Sequence, residues 1–194
     1  VADWVLAVER AYVAAAVGGQ PVPGEPPAIT VARRQARAIA AAGAVASRYL
    51  AVGTPRSFGI VIDDATGVDA AALALIAHRT WFAPRDVRCA AVGDGAAELA
   101  AATGGRAVGI DEALACDIVN VFGGRVKIGA MQLRRGTHVN AVSAAVIAPE
   151  LIAVATMVHE AGLPALAAGL VDGRQLDEIT IFAIDGAPVA LGAM

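Results

Sequence analysis

Polar residues with the power to do chemistry stand where aliphatic runs end or are interrupted. Asp63 and Asp64 follow Phe58-Gly-Ile-Val-Ile62, and Asn120 lies within Asp117-Ile-Val-Asn-Val-Phe122. His138 and Asn140 fall within Thr137-His-Val-Asn-Ala-Val142, and Asp185 follows Ile179-Thr-Ile-Phe-Ala-Ile184. If these runs are neighbouring strands, the groups gather at one edge of a sheet. Period-two alternation turns His138 and Asn140 to the same side. Carboxylates crowded together raise one another's pKa, which leaves one protonated as a general acid. The expected set is therefore Asp64, His138 and Asp185 as acid/base catalysts, with Asp63, Asn120 and Asn140 binding a small amine or carbonyl compound. Plainer readings stand beside it. Asp63 or Asp64 caps the following helix, His138 is a satisfied strand histidine, and Asp185 is a turn residue before Gly186.

The elements that must position these groups alternate. Apolar runs of strand type cover 58–62, 86–92, 106–108, 117–122, 137–142 and 179–184, with a further strand expected at 152–155. Ala-rich helices fall at 68–78, 96–102 and 111–115, and helical turns at 159–168. Two more helices precede them, at 2–17 and about 31–52, joined by the stiff Pro21-Val-Pro-Gly-Glu-Pro-Pro27 connector. The pattern predicts an α/β fold: a Rossmann-like doubly wound parallel sheet with two extra N-terminal helices. Residues 1–53 form a helical unit, 54–185 the sheet domain, and 186–194 a C-terminal turn packed back on the helices.

Composition narrows the function classes. The 194 residues are 57% hydrophobic, with a formal net charge of −3. Mean hydropathy is +0.63, much of it alanine. No basic stripe invites nucleic acid. The longest apolar stretch, 36–52, is interrupted by Arg37 and Arg48, so no membrane span is expected. Cys89 and Cys116 read as buried reduced thiols, which suits the cytoplasm, and no secretory signal is visible. Three histidines and two separated cysteines offer no metal-ligand spacing. No G-x-S-x-G elbow occurs.

Several segments, in order, resemble the ornithine cyclodeaminase/mu-crystallin family. They are the first helix with Glu9, Tyr12 and a Gly-Gly stop, Ala44-Val-Ala-Ser-Arg-Tyr-Leu-Ala51, and Asp111-Glu-Ala-Leu-Ala-Cys-Asp-Ile-Val119. Gly136-Thr-His-Val-Asn-Ala-Val142 and Asp177-Glu-Ile-Thr-Ile-Phe182 complete the set. The resemblance implies a Rossmann half, with the two N-terminal helices left from a β-rich substrate and dimerisation half. It also implies a homodimer formed through those helices. Departures are equally specific. The catalytic aspartate expected after the 137–142 strand is absent from 143–147, and the family's substrate-binding arginine falls at Ala38, with Arg37 one residue off. Ala183 and Ile184 stand where the family has lysine and serine.

A Rossmann domain grips a dinucleotide where glycines after the first strand let backbone reach the diphosphate. Here that turn reads Ile62-Asp-Asp-Ala-Thr-Gly67, and Ala90-Ala-Val92 ends the second strand without a ribose-binding acid. Gly93-Asp-Gly95 mimics a G-x-G loop one strand too late and reads as a plain turn. The expectation is therefore no bound cofactor and cofactor-independent cyclisation, dehydration or isomerisation. The alternatives are an NAD(P)-dependent imine or amino-acid oxidoreductase or cyclodeaminase, and a non-catalytic small-molecule-binding protein of mu-crystallin type.

Overall fold

Valine, isoleucine and phenylalanine in short runs with no polar alternation can bury both faces of a strand, and such strands pair in parallel under helices. The computed structural model describes residues 42–141, 144–159, 162–167 and 177–183. The expected helix 2–17, the connector and Asp185 lie outside the described residues. Helix α1 covers 42–50. Then follow β1 (Ser57–Ile62), α2 (Val68–His78), β2 (Asp86–Ala91), α3 (Ala96–Thr103), β3 (Arg106–Ala107), α4 (Ile110–Leu114) and β4 (Ile118–Phe122). After a longer connection come β5 (His138–Ala141), α5 (Pro149–Ile152), β6 (Thr156–His159), α6 (Leu163–Ala167) and β7 (Thr180–Ala183).

The seven strands form one sheet in the order β3-β2-β1-β4-β5-β7-β6, and every pairing is parallel. Strand order reverses between β1 and β4, so the chain leaves their carboxyl ends in opposite directions and opens a crevice there. Helices cover both faces. Phe58, Ile60, Ile62, Ile118 and Phe182 pack under α1, α2 and α3, while Val61, Val119, Val121, Val139 and Ile181 pack under α4 and α5. Ala42, Val45, Ala46 and Leu50 of α1 are buried in the first of these cores, so this helix is part of the sheet domain's packing.

One element differs from expectation. Residues 152–155 are not a strand: the helix α5 that Pro149 opens ends at Ile152, 153–155 form a turn, and β6 begins at Thr156. Proline at the first helical position is pre-organised for a helix, and that outweighs the short aliphatic run. Cys89 and Cys116 are free, buried thiols. Trp81 and Phe82 form a packing corner: Arg48 lies 4.2 Å over the Trp81 ring, and the Phe82 ring sits against Phe58 and His78. Among the described residues no helix is long and apolar enough to cross a membrane, and no cluster of three or more His, Cys, Asp or Glu could hold a metal ion.

Candidate functional site

The sequence-selected residues separate into two groups. His138, Asn140 and Asn120 share one face of the sheet, as alternation requires, but inside it rather than at its edge. His138 is the first residue of β5, in register with Ile118 and, through it, with Phe58. Asp63 lies past the far end of β1, about five residues on, which is roughly 16 Å along the strand. The expected convergence of His138 with Asp64 does not occur.

The inner group is a buried hydrogen-bond seam, open only at Asn120 Nδ2. The Nδ1 of His78 faces the Ala74 carbonyl at 2.7 Å, so that nitrogen carries the proton and Nε2 accepts. The Ser47 hydroxyl reaches His78 Nε2 at 2.8 Å. The amide nitrogen of Asn140 donates to Ser47 Oγ at 2.8 Å and to Asn120 Oδ1 at 3.0 Å. The Oδ1 of Asn140 must then accept, and His138 Nε2–H supplies the donor at 3.0 Å. That leaves His138 Nδ1 as acceptor for the Thr180 hydroxyl at 2.9 Å. Ser47, His78, Asn120, His138, Asn140 and Thr180 are all buried. Among the described residues, Asn120 Nδ2 is a buried side-chain donor without a hydrogen-bond acceptor. Burial pushes His78 down to about 4 and His138 to about 3, the latter also disfavoured by His78 and partly offset by Asn140. Both rings are neutral at physiological pH. The catalytic role expected for His138 and the substrate-binding roles expected for Asn120 and Asn140 are therefore corrected. These groups tie α1 and α2 to the sheet and are sealed from solvent.

The outer group sits at the switch point. The carboxylate of Asp63 accepts the backbone N–H groups of Gly124 (2.8 Å) and Arg125 (3.1 Å) in the loop after β4. Its own N–H donates to the Phe122 carbonyl at 3.1 Å. Gly123, at φ +128, has no alternative residue here, because a Cβ would overlap the Asp63 carboxylate. At the other end of the same strand pair, Asp117 Oδ2 accepts the N–H groups of Arg56 and Ser57 at 2.8 and 2.9 Å. Carboxylates thus clasp β1 to β4 at both ends, and Asp63 bridges the crevice that the topology opens.

Asp64 caps the 3-10 turn Ala65–Gly67. It accepts Thr66 N–H at 3.1 Å and the Thr66 hydroxyl at 2.6 Å. The Thr66 hydrogen bonds, with Arg125 nearby, hold its carboxyl below the usual aspartate range. It stays ionised at neutral pH, so the general-acid role expected of it is not available. Arg125 reaches across from the β4 loop: its Nη2 bonds the Asp63 carbonyl and pairs with Asp64 Oδ2 at 3.0 Å. It is the charged residue at this edge that the sequence reading did not single out. The signal was a Gly-Gly-Arg run after a buried strand. Gly95, at φ +115, lets the β2 loop press on the β1 turn, where a Cβ would come within 2.8 Å of Ala65. The G-x-G of 93–95 therefore serves close packing of backbone on backbone.

A diphosphate at this turn would need free backbone N–H groups and positive charge. Thr66 N–H is held by Asp64, Gly67 N–H by the Asp64 carbonyl, and Val68 N–H by the Ala65 carbonyl. In this arrangement the turn does not fit a diphosphate.

No protein-family model matches the sequence, and no curated protein matches it. Solved structures do share the fold. An archaeal alanine dehydrogenase dimer with bound NAD aligns with a TM-score of 0.66 at 23% identity, covering 78% of this chain and 59% of that one. The Thermococcus litoralis Δ1-pyrroline-2-carboxylate reductase in complex with NADH and L-proline aligns at 0.63 and 20%, covering 81% and 60%. A probable ornithine cyclodeaminase from Bordetella pertussis Tohama I aligns at 0.58 and 18%, covering 77% and 60%. The Rossmann-like fold and the resemblance to ornithine cyclodeaminase-type proteins stand at the level of architecture. The chain spans about six-tenths of the length of these proteins. The expectation of no cofactor is overturned: proteins of this fold are seen with NAD or NADH bound.

Proposed function

We propose that this chain is the dinucleotide-binding part of an ornithine cyclodeaminase-like protein, serving NAD(P)-dependent chemistry on a small imine or amino acid. The observation that carries the reading is the fold shared with NAD-holding structures over about four-fifths of the chain. The parallel sheet also has its switch point at the carboxyl ends of β1 and β4. The chain's own contribution at that edge is an exposed guanidinium, Arg125, flanked by Asp63 and by an Asp64 carboxylate kept ionised. Asp64 and Asp185 are the proposed contacts for a small substrate. His138, Asn140 and Asn120 hold α1 and α2 in place beneath the edge.

Titration of the protein with NADH and NADPH, followed by nucleotide fluorescence, tests the reading. Saturable binding of either is expected, and no binding of either up to millimolar concentration would end it. The homodimer through the N-terminal helices is likewise a proposal, supported by a dimeric neighbour. A monomer mass by light scattering at micromolar protein would count against it.

A further inference from the structure

The misfit at the β1 turn extends to the two loops beside it. Val92 N–H donates to the Ile62 carbonyl at 3.0 Å and Gly93 N–H to the Asp63 carbonyl at 2.8 Å, so the β2 loop is tied to the β1 turn. In the β4 loop the consecutive N–H groups of Gly124 and Arg125 converge on one carboxylate, a backbone arrangement that suits an anion. The anion they hold is the chain's own Asp63. The guanidinium of Arg125 is likewise engaged from within, 3.0 Å from Asp64 Oδ2 and 3.7 Å from Asp63 Oδ2. Two carboxylates against one guanidinium leave an excess of negative charge here, and Asp94, exposed in the β2 loop, adds to it.

We infer that Asp63 and Asp64 stand in for phosphate at this edge, and that a dinucleotide held by this chain is held through its nucleoside ends, with its diphosphate left in solvent. This inference rests on the dinucleotide reading and sets how such a ligand is recognised. Donors for a diphosphate would have to be freed from bonds inside the protein, and its charge would meet carboxylates of the same sign. What the edge offers a ligand instead is uncharged surface: Val92, which follows β2, is 42% exposed. The ligand class is a nucleoside-bearing molecule whose phosphates add nothing to its affinity.

The test is calorimetric titration of NADH into the wild-type protein at about 0.01 M and about 0.15 M sodium chloride, between which the screening length falls from about 30 to about 8 Å. A diphosphate gripped by a cation binds more weakly as that attraction is screened, whereas one facing like charge does not. The Kd for NADH is expected to be unchanged, or up to about threefold tighter, at the higher salt. Adenosine and ADP are titrated alongside, and ADP is expected to bind no tighter than adenosine. NADH binding that weakens about fivefold or more with salt, or ADP binding about tenfold tighter than adenosine, overturns the inference and leaves the dinucleotide reading standing. Absence of NADH binding at both salt concentrations ends the dinucleotide reading and the inference with it.

Discussion

Two polar regions of this molecule use similar side chains for opposite ends. The seam of Ser47, His78, Asn140, His138 and Thr180 is buried, uncharged and saturated with hydrogen bonds. The Asp63, Asp64 and Arg125 cluster is half-exposed, charged, and sits at the switch point. Burial decides which is which. In the seam, charge is disfavoured and each group is oriented by its neighbours, so the histidines are structural. At the turn, the Thr66 hydrogen bonds hold Asp64 ionised, and its exposed pairing with Arg125 is exchangeable.

The comparison breaks first, and by the largest amount, under acid. His78 and His138 titrate at about 4 and 3 in the fold, against 6.5 when unfolded. Their folded values are depressed, so the unfolded state takes up protons first as pH falls. Stability is full above about 6.5 and declines from there down to the folded values, by about 1.4 kcal/mol per pH unit for each histidine. Urea denaturation should show a loss of about 4 kcal/mol between pH 7 and pH 5. A flat profile over that range would mean that the two imidazoles are not sealed.

Asn140→Leu strikes the centre of the seam. It leaves His138 Nε2–H and Asn120 Oδ1 without their partner, an expected loss of about 3 kcal/mol. That corresponds to roughly 10 °C in Tm by calorimetry for a chain of this size. A melt unchanged within a degree or two would show that the seam is not what holds α1 and α2.

Asp63→Ala removes the clasp on Gly124 and Arg125 and should lower stability by about 1–2 kcal/mol. It should also loosen the β4 loop, read as faster amide exchange at 123–126. If exchange there did not change, the bridge across the crevice would not be set by Asp63. Asp64→Asn, at the small end, should leave the melt within about 1 °C, since the cap persists. A large drop would move Asp64 from the ligand edge into the structural group.

Much of the framework was legible in the sequence, because buried parallel strands and Ala-rich helices write themselves as uninterrupted runs. The helix expected at 68–78 is α2 at Val68–His78, and the shared face of His138 and Asn140 follows from alternation alone. Depth along a strand was not legible. Nothing in Thr137-His-Val-Asn says that His138 opens its strand at the end away from the crevice, because that depends on register with β4 and β1. The partners Ser47 and His78 come from helices 31 residues apart and were invisible to local pattern. Arg125 was missed because its role depends on a loop folding back over another strand's turn.

Amide exchange followed with and without saturating NADH tests the division of labour directly. New protection should appear in peptides spanning 62–68, 92–96 and 122–126, with none gained at 138–141. Protection that skips the β1 turn and the β4 loop, or no change anywhere with ligand present, would contradict it.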